Sequence, residues 1–154
     1  MWNLEPAQIY AITDLHDNNF KMLEYGSGES TKAFKRAGID ITSIEHNEAM
    51  QNTGPGFRLR LPEVRTHHVP EIILDWSNYI AVPDITDFTT ILIDGECRAE
   101  CLAYVAHHNP EADVWLHDTQ RQLYKWATDM YTIIKTVPGT NSQNELQLLK
   151  IQTK

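Results

Sequence analysis

The chain has little of what several large protein classes need. Only two cysteines, Cys97 and Cys101, occur in 154 residues. A disulfide framework is therefore excluded, and no further thiols exist to complete a cysteine metal site. The two lie four apart in an expected helix, where they share a face without the geometry for a bond, and they read as reduced packing residues. Basic charge is also scarce: 13 Lys and Arg against 21 Asp and Glu leave a formal charge of −8. That balance argues against a general grip on nucleic acid phosphates. No apolar run is long enough to span a membrane. The opening Met1-Trp-Asn-Leu-Glu-Pro6 lacks the basic and apolar regions of a secretion signal. Together these absences predict a cytoplasmic protein of one domain, 1–154, without membrane or nucleic acid partners. Its length is enough to bury a real core.

What is present is concentrated in residues 21–46. Phe20, Met22, Leu23 and Tyr25 form a short apolar run suited to a buried strand. Gly26-Ser27-Gly28 follows as a bend against which a ligand can lie. Ser30 and Thr31 can cap a helix whose first N–H groups are unpaired. Ile39, Ile41 and Ile44 mark a second strand, and Glu45 ends it 19 positions after Gly26. That is close to the roughly 20 residues that separate the glycine turn of a nucleotide-binding βαβ unit from the acid that bonds a ribose hydroxyl. The third glycine of the dinucleotide fingerprint is missing, with Ser30 near its place, and an acid, Glu24, stands two residues before Gly26. Both departures point from a dinucleotide towards S-adenosylmethionine.

Later segments continue the alternation. Pro6–Leu15 reads as a helix with Ile9, Ile12 and Leu15 on roughly one side. Asn52 to Gly56 is a strong breaker, and Val64–Val69 is the expected third strand, with His67 and His68 on opposite faces and structural or solvated. Thr89–Ile93 is the expected fourth strand, ending at Asp94-Gly95. Glu96–His107 is the next helix, its C-terminal His107 and His108 favouring the dipole. Val114–Leu116 is the fifth strand, followed by His117-Asp118. Gln120–Met130 is a helix expected to turn Leu123, Trp126, Ala127 and Met130 to the sheet. Tyr131–Val137 and Leu146–Ile151 are strands of a closing hairpin.

Leu23-Glu-Tyr-Gly-Ser-Gly-Glu-Ser-Thr31 and Ser43-Ile-Glu-His-Asn47 resemble the first two motifs of class I S-adenosylmethionine-dependent methyltransferases. More narrowly, they are similar to a branch that includes plant glucuronoxylan O-methyltransferases and related bacterial proteins. Ile91-Leu-Ile-Asp-Gly-Glu-Cys-Arg98 resembles that branch's Val-Asp-Gly-x-x-Arg motif, and Leu116-His-Asp-Thr-Gln-Arg121 its His-Asp strand end. The resemblance runs from about Leu23 to Tyr124. It implies an α/β, Rossmann-like sandwich with a mostly parallel seven-stranded sheet and a C-terminal antiparallel hairpin.

It also implies a site. Glu24, Gly26, Ser27, Gly28, Ser30, Thr31, Glu45 and His46 would hold S-adenosylmethionine, with Asp75 and Trp76 at the adenine. Strand ends converge on ligands in open α/β sheets, so Asp94, His117 and Asp118 would handle the acceptor's proton. Asp94 can alternatively cap the following helix. Arg98 can pair with Asp94 or Asp118, or grip an anionic acceptor such as a uronate. A divalent cation is an alternative at the two acids, but Thr119 replaces the Asn that usually follows, so no metal is predicted. The expected activity is methyl transfer, by O-methylation, to a small-molecule or glycan acceptor. A degenerate, non-catalytic binding protein and an NAD- or nucleotide-binding enzyme stay open, as does homo-oligomerisation.

Overall fold

The computed structural model describes residues 4–46, 57–59, 63–67, 71–119, 121–141 and 144–152, with backbone alone at 57–59, 63–67 and 71–75. Apolar stretches bounded by turn residues form the strands, and their alternation sends side chains to two faces. The first parallel pair is β1 (Lys21–Tyr25) beside β2 (Asp40–Glu45). On the other side of β1 lies β6 (Thr90–Ile93), itself parallel to β7 (Asp113–His117). The hairpin strands β8 (Tyr131–Val137) and β9 (Leu146–Ile151) close the sheet antiparallel to β7. With β3 (Phe57–Leu59) added to β2, the sheet has seven strands in the order β3-β2-β1-β6-β7-β9-β8.

The third strand differs from the expectation. Its place beside β2 is taken by Phe57–Leu59. The segment expected there forms β4 (Glu63–His67), which pairs antiparallel with β5 (Glu71–Asp75) in a separate two-stranded ribbon. Glu63-Val-Arg-Thr-His67 carries one apolar residue, Val64, and so has little apolar surface to bury against the main sheet. The breaker from Asn52 to Gly56, together with His68 and Val69, lies outside the described residues.

Two apolar layers sandwich the sheet. Met22, Leu92 and Trp115 point to the side of α1 (Pro6–Thr13) and α2 (Glu29–Arg36), where Ile12 and Phe34 meet them. Leu23, Tyr25, Ile91, Ile93 and Leu116 point to the side of α4 (Arg98–His108), against Leu102 and Val105. Helix α1 stops at Thr13 and leaves Leu15 exposed. Short helix α3 (Ser77–Ile80) puts Tyr79 into the second layer.

The expected helix from Gln120 to Met130 is much shorter. A 3-10 turn, Gln122–Tyr124, runs into α5 (Lys125–Thr128). Tyr124 and Ala127 are buried, but Leu123 and Trp126 are 76% and 53% exposed. Spacing cannot orient a helix of barely one turn, because its face is set by its neighbours. Among the described residues no helix is long and apolar enough to cross a membrane.

Candidate active site

The site begins where β1 ends. Gly26 has φ +92°, a left-handed conformation that L side chains rarely adopt. A Cβ built there would lie 2.7 Å from Gly95 Cα, so the ends of β1 and β6 approach as bare backbone. A Cβ at Gly95 would in turn strike the buried Tyr79 hydroxyl. The Asp94 N–H donates to Tyr25 O at 3.0 Å and the Gly26 N–H to Ile44 O at 2.8 Å, tying three strand ends together.

Acids hold the bend from both sides. The Ser27 N–H donates to Glu45 Oε2 at 2.9 Å, and the His46 N–H to Oε1 at 2.8 Å. His46 Nδ1 stands 3.1 Å from the same Oε1. Glu24 follows Met22 on the α2 face and is fully buried. It accepts from Thr31 Oγ1 and Ser43 Oγ, each at 2.7 Å, while Thr31 Oγ1 accepts the Gly28 N–H at 2.9 Å. Burial pushes the Glu24 carboxyl up to about 8, against the opposing pull of the Ser43 and Thr31 hydroxyls.

Beyond the bend the carboxyl ends of β6 and β7 make a polar cluster. Asp94 Oδ1 is 2.8 Å from Nδ1 of His117, which is wholly buried. Arg98 starts α4 and knits these ends together. Its Nε donates to Gly95 O at 2.8 Å, its Nη1 to His117 O at 2.7 Å and Asp118 Oδ2 at 3.3 Å, and its Nη2 to Asp94 O at 3.4 Å. Asp118 has φ +57° and is buried, held by Arg98 and approached to 3.9 Å by Arg121. The helix N-cap is Cys97, with φ +49° and no side-chain cap bond, so Asp94 does not cap α4. Both thiols are free.

A cavity of about 880 Å³ opens over these strand ends. Its walls include Gly26, Ser27, Gly28, Ser30, Glu45 and His46 on one side, and Asp94 and Arg98 on another. Such a volume suits a ligand of cofactor size. Among the described residues no cluster of three His, Cys, Asp or Glu could hold a metal ion.

The architecture has known counterparts. No family model matches the chain, and no curated protein matches it in sequence. Solved structures do. A TehB-like SAM-dependent methyltransferase from Corynebacterium glutamicum superposes with a TM-score of 0.58 at 12% identity, over 97% of this chain and 90% of that one. TrmK of M. capricolum, in complex with S-adenosyl-homocysteine, gives 0.55 at 10% identity, over 97% and 69%. A mutant of MtNAS in complex with S-adenosylmethionine gives 0.59 at 7% identity, over 94% and 59%. The chain has the Rossmann-like methyltransferase fold.

Within that methyltransferase fold the sequence-based candidates divide into wall and support. Gly26, Ser27, Gly28, Ser30, Glu45, His46, Asp94 and Arg98 line the cavity. Glu24 and Thr31 stand beneath the bend, and His117 and Asp118 behind Asp94 and Arg98. Trp76 is not a wall residue: its ring packs edge-on against His46, at 5.1 Å, and against Tyr79, at 5.5 Å. The Asp75 side chain lies outside the described residues, and its backbone ends the ribbon rather than a sheet strand. Glu96, Glu100, Leu123, Tyr124 and Trp126 also line the cavity. None of these five was a sequence candidate. For Leu123, Tyr124 and Trp126 the available signal was an aromatic and apolar run straight after the His-Asp strand end.

Proposed function

We propose that this protein is an S-adenosylmethionine-dependent methyltransferase that acts on a hydroxyl of a small polar acceptor. The observation that carries the reading is the shared wall: a side-chain-free bend, the Glu45 carboxylate and the Asp94 carboxylate all face one cavity at the carboxyl ends of neighbouring strands. The residues present fit the cofactor. Its positive sulfur suits a cavity wall that carries the Glu45 and Asp94 carboxylates at neighbouring strand ends. Glu45 is placed to accept from ribose hydroxyls, and His46 offers a ring at the same end. The neighbours solved with S-adenosylmethionine or S-adenosyl-homocysteine support the same choice.

When bound, the cofactor supplies a methyl group on a positive sulfur and departs as a neutral thioether. The chain's own task is positioning and proton handling. Asp94 accepts the proton that the acceptor hydroxyl gives up. Its Oδ1 is held by His117, and its Oδ2 accepts no hydrogen bond among the described residues. His117 and Asp118 do not reach the cavity wall; they orient Asp94 and Arg98. The motif likeness to the glucuronoxylan O-methyltransferase branch supports a hydroxyl acceptor, although Arg98 is too fully bonded to grip a uronate in two-toothed fashion.

Calorimetric titration with S-adenosylhomocysteine, NAD and ATP tests the cofactor. Tight binding of S-adenosylhomocysteine alone is expected, and Glu45→Gln should weaken it roughly tenfold to a hundredfold, as for loss of a charged hydrogen bond. Preference for NAD or ATP overturns the reading. Binding without transfer of labelled methyl to any of a broad set of hydroxylated compounds favours a non-catalytic binding protein.

A further inference from the structure

We propose that the acceptor carries a positive charge, recognised by Glu96 and Glu100 on a cavity wall that also carries Trp126. The inference rests on the methyl-transfer reading and adds the chemical class of the acceptor. It starts from which charges at the mouth are already committed. Arg98 is 10% exposed, and its donors go to Gly95, His117, Asp118 and Asp94. Asp94 is held by His117, and Arg121 leans towards Asp118. Glu96 and Glu100 differ from all of these. Both are exposed, both line the cavity, and neither side chain has an ion pair or hydrogen bond among the described residues.

The two carboxylates share the wall of one cavity. Cys97, between them in the chain and on the cavity wall, has its thiol pushed up to about 11 by burial, then by Glu100 and Glu96. Two unpaired acids on one wall repel an anion and attract a cation. Leu123 and Trp126 add exposed apolar surface to the same wall, and apolar surface left in water beside a cavity is a mark of a binding site. An exposed indole on the same wall as uncommitted carboxylates suits a ring or alkyl body that ends in an ammonium, through stacking and cation–π attraction. A polyanion meets the wrong sign here, in keeping with a net charge of −8.

Three phenols that share a hydroxyl and differ in charge test the proposal. Tyramine is cationic, 4-methylphenol neutral and 4-hydroxyphenylacetate anionic. Each is titrated calorimetrically into protein saturated with S-adenosylhomocysteine. Tyramine should bind about tenfold more tightly than 4-methylphenol, and 4-hydroxyphenylacetate least tightly. The preference should shrink in high salt. In the double variant Glu96→Gln, Glu100→Gln the three should bind alike, with affinity for S-adenosylhomocysteine unchanged. Anion preference, an undiminished tyramine preference in the double variant, or no tyramine binding to the loaded protein would each overturn the proposal while leaving methyl transfer standing. Failure to load S-adenosylhomocysteine at all would instead remove the reading on which it rests.

Discussion

Asp94 Oδ1 stands 2.8 Å from Nδ1 of His117, so a carboxylate on the cavity wall is backed by an imidazole that solvent does not reach. The pair arises from register: β6 and β7 run parallel, and their carboxyl ends place Asp94 and His117 side by side. Asp94→Asn should therefore lower kcat by about 10²- to 10⁴-fold, the usual worth of a placed proton acceptor. Its affinity for S-adenosylhomocysteine should change only a few-fold. His117→Asn should lower kcat with little effect on the cofactor's KM, since it acts through Asp94. Steady-state kinetics on both variants checks this, and an unchanged kcat in Asp94→Asn would sink the assignment.

Arg98 is the most buried cation in the strand-end cluster among the described residues, and it holds Asp118. Asp118 Oδ1 already lacks a hydrogen-bond partner among the described residues. Removing the guanidinium would leave a buried carboxylate with the more exposed Arg121, 3.9 Å away, as its remaining counter-charge. Arg98→Met should cost roughly 3–5 kcal/mol of stability, and Arg98→Lys less, because the charge survives but the planar fork does not. Urea denaturation measures both.

Two glycines share a left-handed backbone and should answer differently to alanine. Gly38, φ +80°, has nothing within 4 Å of an added Cβ, so Gly38→Ala should cost only about 1 kcal/mol of backbone strain. Gly26, φ +92°, would drive its Cβ into Gly95 backbone at 2.7 Å. Gly26→Ala should cost roughly 2–6 kcal/mol, strain plus overpacking, and should also weaken S-adenosylhomocysteine binding. Thermal melts of the two variants side by side give the comparison.

The buried Glu24 makes stability depend on pH. Its carboxyl titrates near 4.5 when unfolded and is raised to about 8 in the fold by burial. Between those values the native state holds a proton that the unfolded chain has released. The contribution is therefore fully present below pH 4.5 and lost as pH rises through 8. Glu24→Gln should flatten the stability profile over that window. Chemical denaturation from pH 5 to 9 on both proteins measures the slope, and equal slopes would show that Glu24 is ionised in the fold.

Much of this was legible in the residues. Continuous apolar runs such as Met22-Leu23 and Ile91-Leu-Ile93 mark strands covered on both faces, and Gly26, Glu45 and Asp94 fall at their ends in the expected order. Where the signal was weaker, the expectation missed. Val64 to Val69 has a valine at each end of four polar residues, and so weak a pattern does not say whether the partner is β2 or β5. The stretch from Gln122 to Thr128 is too short for its spacing to choose a face, so Leu123 and Trp126 fell on the wrong side.

The order of strands, the glycine bend and the acids at the strand ends follow from local chemistry: apolar periodicity, backbone freedom and chain spacing are properties of near neighbours. Which acids face the cavity and which brace it does not. Glu24 and Glu45 flank one bend, yet the first is sealed beneath α2 and the second lies on the wall. Arg98 looked free to hold an acceptor until four carbonyl and carboxylate partners, drawn from two strand ends, closed around it. Such commitments depend on groups distant in the chain and adjacent in space, and packing alone assigns them.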